Sequence, residues 1–164
     1  MIKLLVLDVD GCLTDGRIIY DTDGKESKHF NVKDGLAIAS WVKMGLDVAI
    51  ITGRNSPIVA KRADELGITH LFQGVAHKQK LLEGLLDELE LTPDEVAAIG
   101  DDFNDYKMLE YVGRSFTPKD GVTALQKKVD TVLTCKGGEG AVREMIEILI
   151  AENGLEEKFL NLWI

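Results

Sequence analysis

The sequence predicts an α/β fold, a doubly wound and mainly parallel sheet, and three observations predict it. Leu4-Leu5-Val6-Leu7 is a continuous apolar run rather than an alternating one, which is the pattern of a strand buried on both faces. Comparable runs recur at Asp47 to Ile51 and Val96 to Ile99, with helical stretches between them, as a parallel sheet requires. Each run closes on residues that carry chemistry: Asp8 and Asp10, then Thr52, then Asp101. Open α/β sheets place their ligands at the carboxyl ends of strands.

Local signals justify the elements in turn. Gly11 and Gly16 break the first run and leave Asp8 and Asp10 in a turn. Arg17 to Tyr20 and Glu26 to Phe30 flank Asp21-Thr22-Asp23-Gly24, and an Asp-Gly turn between two strand-like runs signals a hairpin, an insertion over about residues 17–30. Lys25, Lys28 and Lys33 around it read as solvated charges, although one could face an acidic ligand. Asn31 to Gly35 caps a helix from about Leu36 to Met44, which Gly45 ends. A strand over Asp47 to Gly53, a helix to Leu66, a strand from Thr69 to Phe72 and a helix carrying Lys78 and Lys80 follow. Pro93 starts a helical turn before the Val96 strand. Asp101-Asp102-Phe103-Asn104-Asp105 then leads into a helix over Tyr106 to Val112. Arg114 to Phe116 and Thr131 to Thr134 read as strands around a helix from Val122 to Lys128, and Gly137-Gly138-Glu139-Gly140 caps a last helix, Ala141 to Asn153. Leu155 to Ile164 is a tail. No repeat, low-complexity segment or linker interrupts the pattern, so residues 1–164 read as one domain.

At 164 residues such a domain buries roughly two thirds of the surface its unfolded chain exposes, so it needs no disulfide staples. Cys12 and Cys135 form no metal or disulfide spacing and read as reduced. No apolar run approaches the roughly 20 residues needed to cross a bilayer, and no secretory leader follows Met1, so the expectation is a cytoplasmic protein without a membrane partner. A net charge of −9 excludes nucleic acid, which demands a basic footprint. It does not exclude a small phosphoester, which one metal ion, one lysine and oriented N–H groups can hold.

Two carboxylates at one strand end repel each other and call for a compensating cation, and oxygen-only ligands at a phosphate site suit Mg²⁺. An EF-hand is excluded because the twelfth position from Asp8 is Ile19. Gly137 to Gly140 lacks dinucleotide-loop spacing. His29, His70 and His77 are scattered and carry no site.

The combination of Asp8-Val9-Asp10-Gly11, a strand ending in Thr52, Lys78, and Gly100-Asp101-Asp102 with Asp105 resembles the haloacid dehalogenase-like phosphohydrolases in four motifs, in order, over nearly the whole chain. Within that superfamily the hairpin in place of a cap domain, Asn31-Val32-Lys33-Asp34-Gly35, Phe72-Gln73-Gly74 and Gly137 to Glu144 resemble the 3-deoxy-D-manno-octulosonate 8-phosphate phosphatases. The resemblance implies a capless, HAD-like Rossmannoid fold, homotetrameric assembly, and an Mg²⁺-dependent hydrolysis of a sugar acid phosphate in lipopolysaccharide biosynthesis. It assigns Asp8 as the nucleophile, Asp10 as acid and base, and Asp8, Asp101 and the Asp10 carbonyl as metal ligands. Asp102 and Asp105 would orient them. Thr52 and Lys78 would hold the phosphoryl group, with Lys80 a rival for Lys78, while Gly53 and Arg54 would meet the substrate, Arg54 at its carboxylate. Gly137 to Glu144 would stand beside a neighbour's active site, and the Trp163 tail would reach a neighbour.

Departures from that pattern bear on the substrate. Phe103-Asn104 stands where Leu-Pro is expected, and Gly74 to Lys78 reads Gly-Val-Ala-His-Lys instead of a Ser-Asn-Lys type. A nine-carbon keto-acid 9-phosphate is therefore the alternative substrate. A phospho-accepting receiver domain, the alternative from another class, orders its acidic pair and acceptor differently, and a non-catalytic scaffold has no positive support.

Overall fold

The computed structural model describes residues 1–164. Its main sheet comprises β1 (Leu4–Leu7), β4 (Asp47–Ile51), β5 (His70–Phe72), β6 (Val96–Ile99), β7 (Arg114–Thr117) and β8 (Thr131–Val132). The order is β5-β4-β1-β6-β7-β8 and every pairing is parallel, as expected for the doubly wound class. A separate antiparallel hairpin pairs β2 (Ile19–Tyr20) with β3 (Glu26–Ser27). The helices are α1 (Val32–Lys43), α2 (Pro57–Leu66), α3 (Lys78–Leu89), α4 (Tyr106–Tyr111), α5 (Thr123–Gln126), α6 (Ala141–Asn153) and α7 (Glu156–Leu160).

The apolar run of β1 explains the architecture. Leu5 and Leu7 pack with residues of α1, α2 and α6 on one face, while Leu4 and Val6 pack with residues of α3, α4 and α5 on the other, and all four are fully buried. Each such side chain contributes about 2 kcal/mol of gross burial energy. The run is continuous because the strand is covered on both faces. β1 has β4 on one side and β6 on the other, and chain order reverses here. Ligands bind at the carboxyl end of such a switch point.

Several boundaries differ from expectation. α1 starts at Val32 rather than Leu36, because the Asn31 side chain accepts from the Lys33 N–H and caps it four residues earlier. Gly35 therefore lies inside the helix, where a Cβ would meet an Arg62 guanidinium nitrogen at 2.2 Å. β4 stops at Ile51, β8 at Val132, and the tail contains the short α7. Trp163 folds back on its own chain: its Nε1–H donates to Ser40 Oγ at 3.1 Å and Lys43 Nζ lies 4.5 Å from the ring centre.

Asp34, read from sequence only as part of a cap, is buried in α1 and ties it to α6 by accepting the Arg143 N–H at 2.7 Å. Its other oxygen is buried without a partner. Burial outweighs the amide hydrogen bonds and pushes this carboxyl up to about 6 from 3.8. The folded state thus binds the proton more tightly than the unfolded chain, so this group adds stability as pH falls through about 6 toward 3.8. The full gain is about 3 kcal/mol. Asp34→Asn, neutral throughout, is expected to lack that gain in urea melts between pH 7 and pH 4.5. A variant curve parallel to wild type would contradict the assignment.

Candidate active site

The functional side chains come from the ends of β1, β4 and β6 and from the start of α3. β1 delivers Asp8, buried, and then a tight turn over Val9–Leu13 in which Gly11 takes φ 94°. A Cβ on Gly11 would lie 2.0 Å from Asp101 Oδ2, so glycine lets this turn approach the end of β6. Gly100 has the same necessity: its Cβ would meet that of Asp105 at 2.4 Å. Gly137 and Gly138 seal the back of the turn, with the Gly138 N–H donating to the Cys12 carbonyl at 3.0 Å. A Cβ on Gly137 would strike the Gly11 carbonyl. Gly137 and Gly138, in the segment expected beside a neighbour's active site, thus pack against this chain's own turn after Asp8.

Asp8 and Asp101 therefore face each other across the switch point. Oxygens of both, with Cys12 Sγ, lie within 4.8 Å of one another. Burial first, then Asp8, Asp105 and Asp102, pushes the Asp101 carboxyl up to about 8. Burial and Asp105 likewise raise Asp8 to about 6, against the pull of Lys78. Crowded carboxylates of this kind fit a hard divalent cation. Cys12 offers a soft sulfur where a hard cation prefers oxygen, and burial and the same carboxylates push its thiol well up.

Lys78, the first residue of α3, is 1% exposed at its side chain and donates to Asp8 Oδ1 at 2.7 Å and Asp105 Oδ1 at 2.6 Å. Burial pulls its pKa down, but Asp8 and Asp105 outweigh burial and hold it raised. Lys80 is exposed two positions on and makes neither contact. Asp105 is fully buried, and its second oxygen accepts the Asp101 and Asp102 N–H groups at 3.1 and 3.4 Å, which shapes the turn holding Asp101. Asp102 points elsewhere: its carboxylate accepts the Phe103 N–H at 2.7 Å and caps the turn over Phe103–Asp105. Thr52 is buried at the end of β4, and a Cβ on Gly53 would meet nothing closer than the Val75 carbonyl at 3.8 Å, which leaves room above the turn.

The hairpin holds what the sequence did not reveal. Lys28 is not solvated; its side chain is 1% exposed, and its Nζ donates to Asp10 Oδ1 at 2.5 Å and lies 3.3 Å from Glu26 Oε1. Arg54 donates to the same Glu26 oxygen at 2.9 Å and to Tyr20 Oη at 3.2 Å, and its Nε lies 3.9 Å from Asp10 Oδ2. The available signal was alternation: Glu26 and Lys28 lie two apart and share a face, and Tyr20 pairs with Glu26 across the hairpin.

A family model for haloacid dehalogenase-like hydrolases matches residues 29–113. The 3-deoxy-D-manno-octulosonate 8-phosphate phosphatase of Escherichia coli is 43% identical over 153 residues, which is 93% of this chain and 81% of the relative. The crystal structure of the Yersinia pestis enzyme of that name superposes with a TM-score of 0.93 at 42% identity, covering 95% of this chain and 84% of that one. The Moraxella catarrhalis enzyme, solved in complex with magnesium, phosphate and KDO, gives a TM-score of 0.93 at 40% identity over 98% of this chain and 93% of that one. With its sheet order, its acidic pair at the switch point and these similarities, the chain belongs to the haloacid dehalogenase-like hydrolases, among the 3-deoxy-D-manno-octulosonate 8-phosphate phosphatases.

Proposed function

We propose that the chain hydrolyses 3-deoxy-D-manno-octulosonate 8-phosphate through a phosphorylated Asp8, with all of residues 1–164 acting as one catalytic unit. The observation that carries the reading is the Lys78 ammonium held between Asp8 and Asp105 while Asp101 faces Asp8 across the switch point. Asp8, Asp101 and the Asp10 main-chain carbonyl would hold Mg²⁺, the ion with which the Moraxella catarrhalis enzyme was solved. When bound, the ion supplies positive charge that offsets the carboxylates and the phosphoryl oxygens.

An Asp8 oxygen attacks phosphorus in line with the sugar oxygen, the P–O bond to the sugar breaks, and Asp10 gives its proton to the departing alkoxide. Water then attacks the phosphorus of phospho-Asp8 while Asp10 takes its proton, and inorganic phosphate leaves. Lys78 and the Thr52 hydroxyl bind the equatorial oxygens, where charge spreads in the transition state. Arg54, 42% exposed at its side chain, receives the substrate carboxylate over Gly53 in this reading. In this reading Asp105 orients Lys78 and the Asp101 turn, and Asp102 acts only through that turn.

Assembly as a cytoplasmic homotetramer through the hairpin belongs to the same reading. It is supported by Ile18 and Tyr20, which leave 45% and 57% of their surfaces exposed there. Light scattering at micromolar concentration is expected to give the mass of four chains, and a monomer would contradict it.

The substrate is tested by phosphate release from 3-deoxy-D-manno-octulosonate 8-phosphate, nine-carbon keto-acid 9-phosphates and hexose phosphates, with Mg²⁺ and with EDTA. A preference for the eight-carbon acid of about a hundredfold, some 2.7 kcal/mol of transition-state discrimination, is expected and is lost in EDTA. Preference for a nine-carbon acid would move the reading to that substrate.

A further inference from the structure

Two cations and two carboxylates close on one another at the mouth of the site. Lys28 and Arg54 both contact Glu26 Oε1, at 3.3 and 2.9 Å, and the same two cations reach the two oxygens of Asp10. A ligand carboxylate arriving at Arg54 competes with Glu26 for the same guanidinium, and two carboxylates at such range repel unless one leaves. Asp10 is anchored in the nucleophile turn beside a buried Gly11. Glu26 is anchored only in a hairpin of two-residue strands, a length that is marginal by itself.

We propose that Glu26 is a built-in stand-in for the substrate's carboxylate: it occupies the Lys28–Arg54 cation pair in the free enzyme and is displaced when an acidic leaving group binds. This rests on the substrate reading above. Displacement gives the sugar acid both cations, including Lys28, which is buried until Glu26 moves. A neutral phosphoester cannot displace Glu26 and meets a closed pair. Lys28 and Glu26 thus determine specificity for an acidic leaving group, and they do so at the hydrogen-bond partner of Asp10.

The test compares kcat/KM for 3-deoxy-D-manno-octulosonate 8-phosphate with kcat/KM for p-nitrophenyl phosphate, which carries no carboxylate, in wild type, Glu26→Gln, Glu26→Ala and Lys28→Met. Removing an internal competitor worth a partly exposed ion pair is expected to raise the ratio about three- to tenfold in both Glu26 variants, through a lower KM for the acid. Lys28→Met is expected to reduce the ratio by about tenfold or more. An unchanged or reduced ratio in the Glu26 variants overturns the inference alone, because Glu26 would then hold the cations productively. A wild type with no preference for the acid overturns the substrate reading and this inference with it.

Discussion

Asp8→Asn is expected to reduce kcat for the sugar acid phosphate by at least about 10⁴-fold while leaving a folded protein. An amide has no free anionic oxygen to attack phosphorus, and loss of a nucleophile from a concerted site removes most of the rate enhancement. The fold survives because the substitution removes one of several mutually repelling carboxylates and leaves Lys78 its contact with Asp105 at 2.6 Å. Stability measured by urea melts is therefore expected to equal or exceed that of wild type. A variant that unfolds, or one that retains a tenth of the activity, would remove Asp8 from its role.

Lys78→Met is expected to show the opposite combination, losing both activity and stability. In the proposed reading the ammonium binds phosphoryl oxygens, and deletion of one such charge costs about 10²- to 10³-fold in kcat. It also leaves Asp8 and Asp105, 6% and 0% exposed at their side chains, without their shared cation. Breaking a buried ion pair from one side costs about 3 kcal/mol or more. Added Mg²⁺ is expected to restore part of the stability, since a second cation again offsets Asp8, but not the activity. Lys80→Met, two residues on and exposed, is expected to change neither.

The contrast between what the residues revealed and what they hid is physical. Leu4 to Leu7, Asp47 to Ile51 and Val96 to Ile99 announced a parallel sheet because strands covered on both faces leave no room for polar alternation. Asp8 and Asp101 were legible because they follow those strands directly, and Lys78 because it opens a helix. Lys28 was not legible. A lysine in a polar hairpin looks solvated, and the partner that buries it, Asp10, lies 18 residues away along the chain. Asp34 was hidden in the same way, since its partner Arg143 is 109 residues distant on α6. The capping contact of Asp102 with the Phe103 N–H was not legible either, since the resemblance pointed only to an orienting role beside Asp101. Trp163 looked like a free tail because nothing local predicts a contact with Ser40, 123 residues earlier.

The account stands on Asp8 as the residue that carries the phosphoryl group. The most direct test is acid quench of the enzyme during turnover of the sugar acid phosphate with Mg²⁺, followed by mass spectrometry of the peptide spanning Leu4 to Gly16. A phosphoryl adduct on Asp8, present at steady state, lost once the substrate is exhausted and absent from Asp8→Asn, is the predicted result. Turnover without any phosphorylated intermediate, or an adduct on Asp101, would contradict it.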